Sequence, residues 1–184
     1  QVIAHEDQHF EVLGLADDDI ISRVRVTNGN DEILLTTAQG QTLRVEEEEF
    51  RPLGRQAQGV RRIRLDDGDT VVGCDIVTKG KEVLVISERG IGKRTPYDEF
   101  TQRHRAGYGV RAMKLSEKTG LLVGAWGVAD DEEIVVISSK GRMVRIHTSE
   151  VSSLSRTATG YTVVRLDDGD TVADVSIVRN DEGE

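Results

Sequence analysis

The chain has 184 residues, 37% of them apolar and 31% charged, with a formal net charge of −9. That length suits one ordinary domain that buries roughly 70% of its unfolded surface, and the composition excludes a disordered chain. No run approaches the ~20 apolar residues of a membrane-spanning helix, and no signal peptide opens the sequence. Cys74 is the single cysteine, which leaves no internal disulfide and makes a reducing cytoplasm the expected compartment. The net acidity argues against a phosphate-rich partner only if the sum is all that counts, since binding depends on where each sign sits. Gln1 rather than Met opens the chain, so a piece of a longer protein is expected.

In chain order, "VLGLADDDIISRVRV" (Val12–Val26) reads as the second half of a unit that then recurs three times, over 31–77, 81–128 and 132–178. Gly40, Gly90 and Gly141 fall in step, as do Gly59, Gly109 and Gly160, a period of about 50 residues that points to a propeller or a related blade array. Each unit predicts four strands. The first (Ile33–Leu35, Val83–Ile86, Ile134–Ile137) is apolar on consecutive residues, as a strand covered on both faces would be. It ends at the step glycine, where a tight hairpin leads into the second strand. After a loop of about ten residues, the third strand alternates at Ile63 and Leu65, Met113 and Leu115, Val164 and Leu166. "LDDGDT", at Leu65 and again at Leu166, is an Asp-Gly hairpin signal before a fourth apolar strand. The expected fold is all-β, a blade array with a half-blade over 1–30, three blades, and an acidic tail over 179–184. Three and a half units fall short of the four blades of small propellers, so a partial wheel or open arc is expected.

The stretch "RGIGKRTP" (Arg89–Pro96) has the look of a phosphate-gripping loop, but the pattern fails on inspection. The first required glycine is Ser87, Arg94 stands where Ser or Thr would hold magnesium, and Pro96 denies the helix that should follow. The repeat gives these cations another setting. Arg94 is in register with Arg44 and Arg145; Arg55, Arg105 and Arg156 form a second register; Arg64, Lys114 and Arg165 form a third, on the polar face of the third strand. With Arg62, Lys93, Arg103, Arg111 and Arg142 beside them, they are candidate contacts for a continuous polyanion such as DNA. On this reading Arg44, Arg94 and Arg145 lie along one curved, exposed stripe. The plainer account has the same arginines solvating strand faces or pairing with the acids at Asp17–Asp19, Glu46–Glu49, Asp66–Asp69 and Asp130–Glu133.

"ISERGIGKRTPYDEF" (Ile86–Phe100), "ISSKGRMVRI" (Ile137–Ile146), "EVSSLSRTATGYTVVRL" (Glu150–Leu166) and "LGRQAQGVRRIRLDDGDTVV" (Leu53–Val72) resemble successive blades of the C-terminal domain of DNA gyrase A, of the type IIA topoisomerase family. The resemblance implies a β-pinwheel, with strands exchanged between propeller-like blades and duplex DNA wrapped on the outer rim. It further implies the remainder of gyrase A, together with gyrase B, as partners, a cytoplasmic, nucleoid-associated setting, and support for ATP-dependent negative supercoiling by the parent enzyme. The family's Gln-Arg-Arg-Gly-Gly-Lys-Gly box has only a partial relative here, "RHRAGYG" (Arg103–Gly109), with Ala106 and Tyr108 replacing Gly and Lys. This departure leaves a topoisomerase IV parent open beside gyrase. A blade-repeat scaffold that binds protein is the third reading.

No catalytic residues, cofactor or metal are expected. The DNA-cutting tyrosine of such enzymes belongs to another domain, and Tyr108 and Tyr161, which flank the loop glycines, read as core or rim packing residues. His5, His9, His104 and His147 are scattered without cysteine partners at zinc spacing, and "DDGDT" lacks the longer loop of a calcium site.

Overall fold

The computed structural model describes residue 15 and residues 20–50, 52–53, 59–102 and 107–178. These hold eleven β-strands, three single-turn 3-10 helices and no α-helix. Unit one contributes β1 (Glu32–Thr37), β2 (Gln41–Glu46) and β3 (Val71–Ile76). Unit two contributes β4 (Glu82–Ser87), β5 (Ile91–Pro96), β6 (Val110–Arg111) and β7 (Leu122–Val128). Unit three contributes β8 (Glu133–Ser138), β9 (Met143–His147), β10 (Tyr161–Thr162) and β11 (Val172–Val178). The first two strands of each unit form an antiparallel hairpin closed at Gly40, Gly90 or Gly141, where φ is +82°, +74° and +83°. Such values are costly for any residue with a Cβ.

The third strand is exchanged between blades, as the resemblance implies, but it is shorter than its alternation suggests. It is only two residues long in units two and three, and it leaves its own blade. β6 pairs with β2 of unit one, and β10 pairs with β5 of unit two, giving sheets in the order β3-β1-β2-β6 and β7-β4-β5-β10, beside the three-stranded β11-β8-β9. Consequently "LDDGDT" does not join two paired strands. Gly68 and Gly169 make the turn with positive φ, but Asp69 and Asp170 are buried and cap the tip of the first hairpin instead. Asp69 Oδ1 accepts from the backbone N–H of Gln39 at 2.9 Å, and Asp170 Oδ1 from that of Lys140 at 3.1 Å.

β7 packs against both β3 and β11, so these are the inner strands, and β6 and β10 lie at the opposite edges of their sheets. Cores fill the spaces between blades. Val83 and Val85 of β4 face Leu34, Phe100 and Met113 on one side, while Leu84 and Ile86 face Ile134, Val136 and Val172 on the other. Each such side chain contributes about 1.5–3 kcal/mol by leaving water. The expected double coverage of the first strand therefore holds in full only for β4, the strand with a blade on both sides; β1 and β8 are buried mainly on alternate residues. Residues 20–26 lie beside β3, with the Ser22 hydroxyl donating to the Val71 carbonyl at 2.8 Å and Arg25 3.4 Å from Asp75.

Candidate nucleic-acid interface

Strand exchange decides which cations face solvent. Gly109 and Gly160 lead the exchanged strands over their hosts so closely that a Cβ would lie 2.5 Å from the Thr42 carbonyl oxygen and 2.4 Å from that of Gly92. Gly92 itself is the floor of this contact, since its own Cβ would meet the Val85 carbonyl oxygen at 2.6 Å. The glycines of "RGIGK" therefore serve a hairpin (Gly90) and a backbone crossing (Gly92).

The register of Arg44, Arg94 and Arg145 is a correction to the exposed stripe. Arg94 is only 7% exposed. Its guanidinium pairs with Glu82 (3.1 Å) and Asp130 and donates from Nε to the Val151 carbonyl at 2.8 Å, so it ties blade two to unit three. Arg44 repeats the pattern with Glu32 in its own blade and the Tyr97 carbonyl of unit two at 3.1 Å. Arg145 pairs with Glu133, holding that carboxyl below its usual range, but its side chain remains 60% exposed. A signal for this pairing was present in the sequence: Glu32, Glu82 and Glu133 each stand twelve positions before the arginine. Lys93 is likewise withdrawn from the rim. It is fully buried, with Nζ donating to the Ser155 carbonyl at 2.5 Å and to Thr95 Oγ1 at 3.2 Å. In both cases the exchanged segment of the next unit covers the side chain.

The third register survives as surface. Arg64, Lys114 and Arg165 are all exposed, with Lys114 and Arg165 three residues beyond the exchanged strands β6 and β10. Their backbones are stitched to the neighbouring loop: Arg64 N–H donates to the Gly107 carbonyl at 3.0 Å and Lys114 N–H to that of Ala158 at 3.2 Å. Other cations gather around them. Arg156 donates to the Arg111 carbonyl at 3.2 Å and Arg142 to the Arg165 carbonyl at 3.3 Å, while Arg64 stacks 5.4 Å from the centre of the Tyr108 ring. Arg62 is half-buried over the Phe50 ring at 4.5 Å, leaving it a packing role. Tyr108 and Tyr161 are exposed on this edge, whereas Tyr97 is buried and its hydroxyl is pushed up by desolvation. Arg55, Arg103, Arg105 and the acidic tail over 179–184 lie outside the described residues, as do residues 1–14 of the expected half-blade.

The acids occupy the blade ends instead. Glu47 closes one end by accepting from the N–H groups of Gly29 and Asp31, and the Asp66–Asp69 and Asp167–Asp170 turns sit at the hairpin tips of the other. This segregation reconciles a net charge of −9 with a cationic outer edge. Among the described residues no cluster of His, Cys, Asp or Glu could hold a metal ion, and no helix is long and apolar enough to cross a membrane.

Two four-stranded blades beside a three-stranded one, a strand passed from units two and three to the unit before, and exposed cations near the donated strands define a propeller-like repeat domain with a basic rim. The family model "DNA gyrase C-terminal domain, beta-propeller" matches three times, over residues 31–78, 81–125 and 132–179. The chain belongs to this DNA gyrase C-terminal domain family. It is 55% identical over 173 residues to the DNA gyrase A protein of Aminobacterium colombiense, covering 94% of this chain and 21% of that protein. Against Escherichia coli DNA gyrase A the identity is 35% over 158 residues, covering 86% and 18%. The chain thus spans about a fifth of the length of these relatives. Among solved structures, a DNA gyrase A C-terminal domain superposes with a TM-score of 0.84 at 27% identity, covering 90% of this chain and 57% of that one. The C-terminal domain of DNA topoisomerase IV gives 0.86 at 26% identity, covering 92% and 53%.

Proposed function

We propose that this chain is a non-catalytic DNA-wrapping domain of DNA gyrase A, bending duplex DNA around its outer rim. In the parent, that wrapping supports ATP-dependent negative supercoiling together with the rest of gyrase A and with gyrase B, in the cytoplasm and on the nucleoid. The observation that carries this reading is the exposed register Arg64, Lys114 and Arg165, one cation at the equivalent position of each unit. Cations spaced along a curved edge suit a phosphate backbone, and binding through phosphates tolerates any sequence that bends readily. The gyrase relatives favour a gyrase parent; the fold likeness to the topoisomerase IV domain keeps decatenation as the second reading.

If six to ten cations engage phosphates, affinity for a duplex falls by roughly 10³–10⁵ between 50 and 200 mM salt. Replacing Arg64, Lys114 and Arg165 together by Ala is expected to weaken binding to all sequences and to flatten the log–log salt dependence by about 3. Gel-shift titrations at several salt concentrations measure this. An unchanged slope in a triple variant with a native circular dichroism spectrum overturns the rim as drawn.

A further inference from the structure

One buried position is chemically out of keeping with its repeats. Counted from the hairpin glycines, Lys93 and Thr95 stand where unit one has Leu43 and Val45 and unit three has Val144 and Ile146. Leu43 and Val45 are buried as fully as Lys93 and Thr95, so filling this slot calls for no charge. An ammonium withdrawn from water there costs stability that a leucine would not.

What the ammonium holds is a turn of unit three. Lys93 Nζ donates to the Ser155 carbonyl at 2.5 Å, and the same oxygen accepts from the Ala158 N–H at 3.0 Å, which closes the turn over 155–158. Thr95 Oγ1 accepts from Nζ at 3.2 Å and donates to the preceding carbonyl, that of Leu154, at 2.8 Å. On the next residue, the Glu99 carboxylate accepts from the Arg156 N–H at 2.8 Å. Side chains of unit two thus clamp three consecutive residues of this segment. Three cations meet at the turn. Arg156 belongs to it and donates from its guanidinium to the Arg111 carbonyl at 3.2 Å, while the Ala158 carbonyl accepts from the Lys114 N–H at 3.2 Å. Arg111 and Lys114 are both exposed.

We propose that Lys93 is a positioning residue for duplex DNA: its ammonium pins the turn over 155–158 and through it sets Arg156, Arg111 and Lys114 for neighbouring phosphates. This role rests on the proposed DNA-wrapping function and adds a pH dependence to it. A neutral amine holds the Ser155 carbonyl less firmly, because a charged donor roughly doubles the strength of a hydrogen bond. Among the described residues the charged groups acting on the ammonium are Glu99 and Arg156, which oppose each other. A phosphate brought to Arg156 adds negative charge beside Lys93 and favours its protonated form, so DNA and the proton bind cooperatively. Because burial lowers the ammonium to about 8, affinity for DNA declines as pH rises through that value. The fold gains stability as pH rises further, so the two properties move in opposite directions.

The test is a gel-shift titration of a ~150-base-pair duplex with the 184-residue chain at one low salt concentration. Run from about pH 7 to about pH 9, it should show wild-type affinity falling about fivefold or more. Lys93→Leu and Lys93→Met fill the slot as Leu43 does in unit one and are expected to keep the native circular dichroism spectrum. Both should bind about fivefold more weakly than the wild type at about pH 7 and show no further fall with pH. Hydrogen exchange at the Ala158 and Lys114 amides, compared at one pH without DNA, should be faster in both variants, which loss of a charge alone would not produce. Level wild-type affinity, a fall with pH that the variants share, or unchanged exchange at those two amides overturns the positioning role and leaves the basic rim standing. Failure of the wild type to shift the duplex at any pH overturns the rim, and this role with it.

Discussion

Lys93 shows how completely strand exchange changes a residue's chemistry. Burial is the main cause that lowers its ammonium from 10.5 to about 8; Glu99 opposes the shift and Arg156 adds to it. Folding therefore disfavours the charged form. Below pH 8 both folded and unfolded chains hold the proton, and the penalty is constant. Between about 8 and 10.5 the unfolded chain keeps a proton that the folded chain has released, so stability rises with pH. Thermal melts of the wild type against Lys93→Met should diverge in the wild type's favour across that window, and a constant difference in melting temperature would exclude the lowered ammonium. The sequence revealed Lys93 as a cation in a repeat; that Ser155, 62 positions away, would cover it was not readable from composition or period.

At the scale of the element, the blade hairpins were legible, because their cause is local: a glycine with positive φ between two apolar runs. The third strand's partner was legible only through the family resemblance, not from its own residues. Its apolar alternation and the following Asp-Gly turn suggest pairing with the fourth strand, and local chemistry cannot say that the partner belongs to the previous unit. Arg44 and Arg94 inherit this error, since they serve as struts only because the next unit's segment lies over them. Arg94→Ala leaves Glu82 and the Val151 carbonyl without their partner and is expected to cost about 2–4 kcal/mol. Arg145→Ala, at an exposed equivalent position, is expected to stay within about 0.5 kcal/mol. Urea denaturation of the two variants measures the contrast, and equal losses would remove the distinction between strut and surface.

For the whole molecule, charge placement matters more than charge sum. Acids at both blade ends and cations on the outer edge leave a path for a bent polyanion that avoids the repulsive faces. On the proposed reading, a duplex following this curved path absorbs bending energy that phosphate contacts in successive units would have to offset. Ligation of nicked circles in the presence of the chain is therefore expected to shift the linking number with increasing protein, the shift vanishing at high salt. An unaltered topoisomer distribution at saturating protein would reduce the rim to a binding surface that does not wrap.

By itself the sequence determined the repeat, its period, the all-β class, the hairpin glycines and the family, because these follow from short-range patterns that recur three times. Only the tertiary structure decided which of the repeated cations are free. Units two and three each hand their third strand to the one before, and that non-local step buries Lys93 and Arg94, while Arg64, Lys114 and Arg165 remain in solvent. Pairing across 68 to 71 residues depends on how blades stack, and no window of local sequence carries that information.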